Sequence, residues 1–125
     1  MAALTGVSPV FLVADIDRAI AYYRDLLGFL CVAAGDPAEF ATAERDQATL
    51  LLSLCDEPAR IVPNWRIVDK LWDAYIRVDD VEAIYAEIQE RGAGIDYTIY
   101  NAPHGFREFG VQDHDGHDIA FGQRL

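Results

Sequence analysis

The residues best equipped for chemistry in this chain are three histidines, several carboxylates and a set of aromatic rings. His114 and His117 flank Asp115-Gly116 in the run Asp113-His114-Asp115-Gly116-His117-Asp118. A His-x-x-His pair with carboxylates alongside has the donor types of a zinc clasp. Asp-Gly is also hairpin-turn chemistry, however, and the expectation is a turn whose flanking side chains point to solvent. His104, in Pro103-His104-Gly105, reads by itself as a solvated loop residue. Ser8 and Ser53 have no His and Asp partners in a recognisable nucleophile motif. Gly92-Ala93-Gly94 follows a helical stretch instead of opening one, so it is no phosphate cradle. Cys31 and Cys55 lack CxxC spacing and read as buried reduced thiols, in keeping with a cytoplasmic protein.

Composition narrows the partners. The chain has 125 residues, 21 acidic against 10 basic for a net charge of −11, and is 52% apolar. That length suits one domain, and that apolar content supports a packed core. Nucleic-acid backbones and anionic membrane surfaces need clustered Lys and Arg, so neither is an expected partner. No run approaches the roughly 18 apolar residues of a membrane span, and the N-terminal stretch lacks the basic start of a signal peptide.

The positioning elements are legible from periodicity. Pro9–Ala14 is a short β run; Asp15 then caps a helix whose buried stripe is Ile16, Ala19, Ile20, Tyr23, Leu26 and Leu27, ending at Gly28. Ala74–Val78 repeats the strand. Asp79 with Glu82 makes a capping box, Val81, Ile84, Tyr85 and Ile88 form the stripe, and Gly92 ends it. Gly92 stands 64 residues after Gly28, and Asp80 stands 65 after Asp15. Strand-like stretches follow each helix: Phe29–Ala34, Phe40–Glu44 and Ala48–Leu54, then Ile95–Tyr100, Arg107–Gln112 and Asp118–Gly122. The reading is a single α+β domain over 1–125, made of two βαβββ modules (about 6–54 and 72–125) joined by a connector at 55–71. The modules are expected to form a curved mixed sheet with both helices outside.

These motifs together carry a resemblance. Asp15-Ile16, Ala19, Tyr22-Tyr23 and Leu27-Gly28-Phe29 in the first half precede Val78-Asp79-Asp80-Val81, Arg107-Glu108-Phe109 and Asp113-His114-Asp115-Gly116-His117 in the second. In that order and at those separations they resemble the vicinal oxygen chelate superfamily of glyoxalases, bleomycin-resistance proteins and extradiol dioxygenases, most nearly the bleomycin-resistance type. The resemblance implies the paired βαβββ fold and, for catalytic members, a divalent metal on the concave face. Its three ligand positions fall here on Ser8, Asp73 and Ala120. A hydroxyl, one carboxylate and a methyl group do not seat such an ion, so no metal and no cofactor is expected.

Strand alternation gives the concave face. Ser8, Val10 and Leu12 face inward from the first strand, Asp73, Tyr75 and Arg77 from the fifth, Glu108, Gly110 and Gln112 from the seventh, and Asp118, Ala120 and Gly122 from the eighth. By family position Phe40 lines the groove, Tyr75 replaces a tryptophan, and His104 or Phe106 supplies a ring at the mouth. Trp65 and Trp72 are candidates for a lid or a subunit contact. The expected ligand-binding set is therefore Phe40, Trp65, Trp72, Asp73, Tyr75, His104, Phe106 and Glu108. The expected function is metal-free sequestration of a cationic or aromatic small molecule, an antibiotic among the candidates, in grooves of a homodimer. The alternatives are a glyoxalase- or dioxygenase-type enzyme with a displaced metal site, one using Glu108 or Asp73 as a general base, and a structural dimer with a vestigial cavity.

Overall fold

The computed structural model describes residues 1–125. The first half builds β1 (Val10–Val13), α1 (Ile16–Ala21), β2 (Leu30–Gly35), β3 (Ala38–Arg45) and β4 (Ala48–Leu54). The second builds β5 (Ala74–Arg77), α2 (Val81–Glu90), β6 (Ile95–Ala102), β7 (Phe106–Gln112) and β8 (Asp118–Arg124). Two 3-10 turns, Pro58–Arg60 and Asn64–Arg66, punctuate the connector.

Each half forms a four-stranded mixed sheet of the same order, β1-β4-β3-β2 and β5-β8-β7-β6. The first strand of each half runs parallel to its last, with Val10 opposite Leu51 and Tyr75 opposite Ala120; the other pairs are antiparallel. The period-two pattern turns Phe11, Val13, Ala41, Ala43, Leu50 and Leu52 of one sheet, and Phe109, Val111, Ile119 and Phe121 of the other, into one continuous core with the helices. Ala41 and Ala43, both fully covered, remove bulk where α1 packs on β3.

Three local expectations are corrected. The first helix does not run regularly to Gly28: after Ala21 it continues as a π-helical turn, Tyr22–Leu26. Both of its tyrosines, Tyr22 and Tyr23, are buried there. The cap of α2 is Asp80 instead of Asp79, its carboxylate accepting from the Ala83 N–H at 3.1 Å. Cys31 and Cys55 are half-buried, not buried.

The two halves are fastened by polar groups at their edges. Arg45 makes a two-pronged pair with Glu87 at 2.7 and 2.9 Å and also donates to the Leu27 carbonyl. Tyr23 donates to Asp113 at 2.7 Å, and the Ala14 N–H donates to Asp115 at 3.0 Å. His117 is a further correction. It is buried, stacked on Phe11 with centroids 4.6 Å apart, and its Nε2–H donates to the Leu12 carbonyl at 2.6 Å. Only His114 of that pair is exposed. No helix is long and apolar enough to cross a membrane.

Candidate functional site

The open face of the second sheet carries the chemistry. Registers stack it in rows: Tyr75, Ala120, Gly110 and Tyr97 in one, Arg77, Gly122, Glu108 and Tyr100 in the next. The middle positions of the first row are small, and Gly122 adjoins them, so rings from the flanking strands fold inward over the floor. Tyr97 lies across Gly110 and Tyr75 across Gly122, each where a β-carbon would collide with the ring.

Glu108 stands at the centre of this pavement, fully buried. Its Oε1 accepts from the Tyr75 hydroxyl at 2.9 Å and lies 3.0 Å from His104 Nε2; its Oε2 accepts from the Tyr97 hydroxyl at 2.6 Å. A buried carboxylate survives only with such partners. Burial, then the neighbouring carboxylate of Glu108, holds both phenols well above the usual range, so they remain donors. Trp72 closes one side: its indole N–H donates to Tyr97 Oη at 3.0 Å, and its ring meets Tyr75 edge-on at 4.8 Å. His104 and Phe106 complete the wall at 5.9 and 5.6 Å from the Tyr75 ring. Arg124 lies 5.0 Å over the Phe106 ring centre.

Five of the eight expected site residues, Trp72, Tyr75, His104, Phe106 and Glu108, thus form one cluster. The other three do not join it. Asp73 spends its carboxylate on the backbone, accepting from Asn64 N–H at 3.0 Å and Asp118 N–H at 2.8 Å. Trp65 points its indole N–H at the Gly116 carbonyl, 2.6 Å away, pinning the connector to the β7–β8 turn. Phe40 stands on β3 of the other sheet, opposite Ser53 and Ala34. Tyr97 was absent from the expected set. Its signal was the pair of glycines on facing strands, which leaves room for a ring from the next strand.

A second carboxylate group lies along the same face, beyond the tyrosine row. Asp118 is buried opposite Gln112, whose amide donates to Asp96 at 3.3 Å. Burial first, then Asp96 and the charge of Asp73, push the Asp118 carboxyl up to about 7, and its Oδ1 has no hydrogen-bond partner.

The three positions implied for a divalent ion do not fit one. Ser8 is exposed ahead of β1, both oxygens of Asp73 are engaged by backbone N–H groups, and Ala120 brings no donor. No group of three His, Cys, Asp or Glu side chains is arranged to hold a metal ion. A cleft of about 880 Å³ does not lie over Glu108. It runs past Val7–Pro9 and the start of β4 to β5, and only Tyr75 belongs to both cleft and cluster. The cluster itself is a tightly furnished open face, not an enclosed cavity.

A family model described as the Glyoxalase/Bleomycin resistance protein/Dioxygenase superfamily matches residues 7–121. Among solved structures, the chain is similar to the bleomycin-binding protein from bleomycin-producing Streptomyces verticillus, solved with copper(II)-bleomycin. The identity is 25%, the TM-score 0.75, and all of both chains is covered. It is similar to TnmS3, an antibiotic binding protein from Streptomyces sp. CB03234, at 27% identity and TM-score 0.72 over 100% of this chain and 99% of that one. Lactoylglutathione lyase from Agrobacterium tumefaciens shares the fold at 20% identity and TM-score 0.68, over 93% of this chain and 90% of that one. No curated protein matches significantly.

Proposed function

The chain belongs to the glyoxalase/bleomycin resistance protein/dioxygenase superfamily, and we propose that within it this protein is a metal-free binder that sequesters a small molecule on the face around Glu108. The observation that carries this reading is the aromatic wall of Trp72, Tyr75, Tyr97 and Phe106 around one buried carboxylate. Flat rings favour a planar heteroaromatic body, and ring pairs add roughly 0.5–1.5 kcal/mol beyond area burial. Glu108 and the net charge of −11 favour a cationic group on the same ligand. Two relatives at 25% and 27% identity, one solved with copper(II)-bleomycin and one named as antibiotic binding, support an antibiotic as that ligand.

The partner that completes the groove is a second copy. The open face of the first sheet leaves Val10, Leu12, Leu30 and Val32 between 43% and 70% exposed. An apolar strip of that kind rarely stays uncovered, and a symmetric dimer covers it while bringing Phe40 of one copy towards the other's site.

The test is thermal unfolding and calorimetry with bleomycin, metal-free and copper-loaded, and a panel of cationic aromatic antibiotics. A true ligand at 100 times its dissociation constant adds about 2.7 kcal/mol of stability, and Trp72→Ala removes the effect. Binding of zinc, nickel, manganese or iron at micromolar levels, with no antibiotic response, overturns the reading. Light scattering during size exclusion checks the dimer.

A further inference from the structure

A separate cleft of about 420 Å³ opens where α1, the connector and the β7–β8 turn meet. It shares no residue with the cluster around Glu108. In a strongly acidic chain its lining is unusual: Arg18, Arg66 and His114 come together from three different elements, with Asp115 the sole carboxylate. Ala59 and Ile61 supply an apolar floor.

The two arginines are not spent elsewhere. Arg24, Arg45, Arg91 and Arg107 are each clamped by a carboxylate at 2.6–2.8 Å. Arg18 reaches its only carboxylate, Asp115, at 3.4 Å, and that same oxygen already accepts from the Ala14 N–H at 3.0 Å. Arg66 takes part in no ion pair; its guanidinium rests 5.3 Å over the Trp65 ring. Trp65 is itself locked by its bond to the Gly116 carbonyl. Gly116 has a positive φ of 86°, and a β-carbon there would press on Pro63 at 3.1 Å. The connector and the turn are thus held together so that Arg66 and His114 line one opening.

We propose that this cleft binds a small organic oxyanion, a carboxylate or a phosphate monoester, between the guanidinium groups of Arg18 and Arg66. Two guanidinium groups against one carboxylate leave a net positive opening, and planar N–H forks match carboxylate and phosphate oxygens. The His114 ring adds a polar group at the rim, and Ala59 with Ile61 meets the carbon body. The volume falls in the range of small-molecule sites.

The test is an NMR titration of the full chain with inorganic phosphate, acetate and benzoate, at constant ionic strength with chloride as reference. Saturable movement of the Arg18 and Arg66 Nε–H signals and the Gly116 amide is the expected result. Arg18→Gln and Arg66→Gln each weaken binding about tenfold, while Arg107→Gln leaves it unchanged. Response to acetate and benzoate alone identifies a carboxylate ligand, and response to phosphate alone a phosphate. Either supports the site. No saturable movement, equal movement with chloride, or undiminished binding by Arg66→Gln overturns it, and none of these results bears on the face around Glu108.

Discussion

The Tyr75 ring lies directly over Gly122, so closely that a β-carbon on Gly122 would overlap the phenol oxygen. The glycine is what lets Tyr75 lie down and reach Glu108 at 2.9 Å. Gly122→Ala must therefore lift the ring off the floor. Overpacking of this kind costs about 1–3 kcal/mol, and the Tyr75–Glu108 bond is lost with it. The expected outcome is a lower denaturation midpoint and a displaced Tyr75 ring signal by NMR. An unchanged midpoint would show that the floor yields more easily than its backbone geometry implies.

Glu108 anchors two phenols at once, so removing it takes the acceptor from the half-buried Tyr97 hydroxyl and leaves that of Tyr75 with only His104 Nε2, 3.4 Å away. An unsatisfied buried polar group costs about 1–3 kcal/mol. Glu108→Ala is expected to destabilise by about 2–4 kcal/mol in urea or guanidinium unfolding. Glu108→Gln, which keeps the shape and one acceptor oxygen, is expected to lose about half of that. Equal losses from the two variants would point to charge instead of hydrogen bonding as the chief role.

Asp118 makes stability depend on pH in an unusual direction. Its carboxyl stands at about 7 in the folded chain, above the ordinary value of 3.8, because burial and Asp96 disfavour the charge. Between those two values the folded chain holds a proton that the unfolded chain has released. The contribution of Asp118 is therefore full below about pH 4 and falls away as pH rises through 7. Asp118→Asn, which stays neutral, is expected to gain about 1–3 kcal/mol over the parent at pH 8 and to lose that advantage at pH 4. Urea unfolding at the two pH values measures it. A gain independent of pH would contradict the assignment.

Arg45 and Glu87 carry much of the polar fastening between the halves. Their two-pronged geometry is favourable, but about a quarter of Arg45 and a third of Glu87 remain exposed, so solvent screens the pair. Glu87 is held below the usual carboxylate range, first by its bonds from Arg45, against the opposing effect of burial, and then by Arg91. Its share of stability is present above the unfolded value and lost as pH falls through the lowered one. A double-mutant cycle with Arg45→Met and Glu87→Gln is expected to return about 1 kcal/mol of coupling at pH 7, shrinking towards pH 3.

The elements and their duplication could be read along the chain because helix and strand periodicities are local. The stripe Ile16, Ala19, Ile20, Tyr23 and the alternation of Phe109 and Val111 depend on nothing beyond their own neighbours. The same alternation placed Tyr75, Glu108, Gly110 and Gly122 on one face. It could not reveal Tyr97, because the strand β6 has register shifts between Ile95 and Tyr100 that break strict period two. Nor could alternation for Asp73, connector position for Trp65 or turn composition for His117 say where the ends of these side chains go. Asp73, Trp65 and His117 all turned to backbone partners far away in sequence: Asp118, Gly116 and Leu12.

Residue order alone determined that this chain builds two βαβββ halves, that the expected metal positions carry one carboxylate among Ser8, Asp73 and Ala120, and that aromatic and carboxylate groups share one sheet face. The folded chain alone decided which of them meet. Hydrogen-bond partners are chosen by distance in space, and a buried polar group takes whichever one the packing delivers. Thus Glu108 gained its two tyrosines, while Trp65 was drawn away to hold the turn beside Arg66.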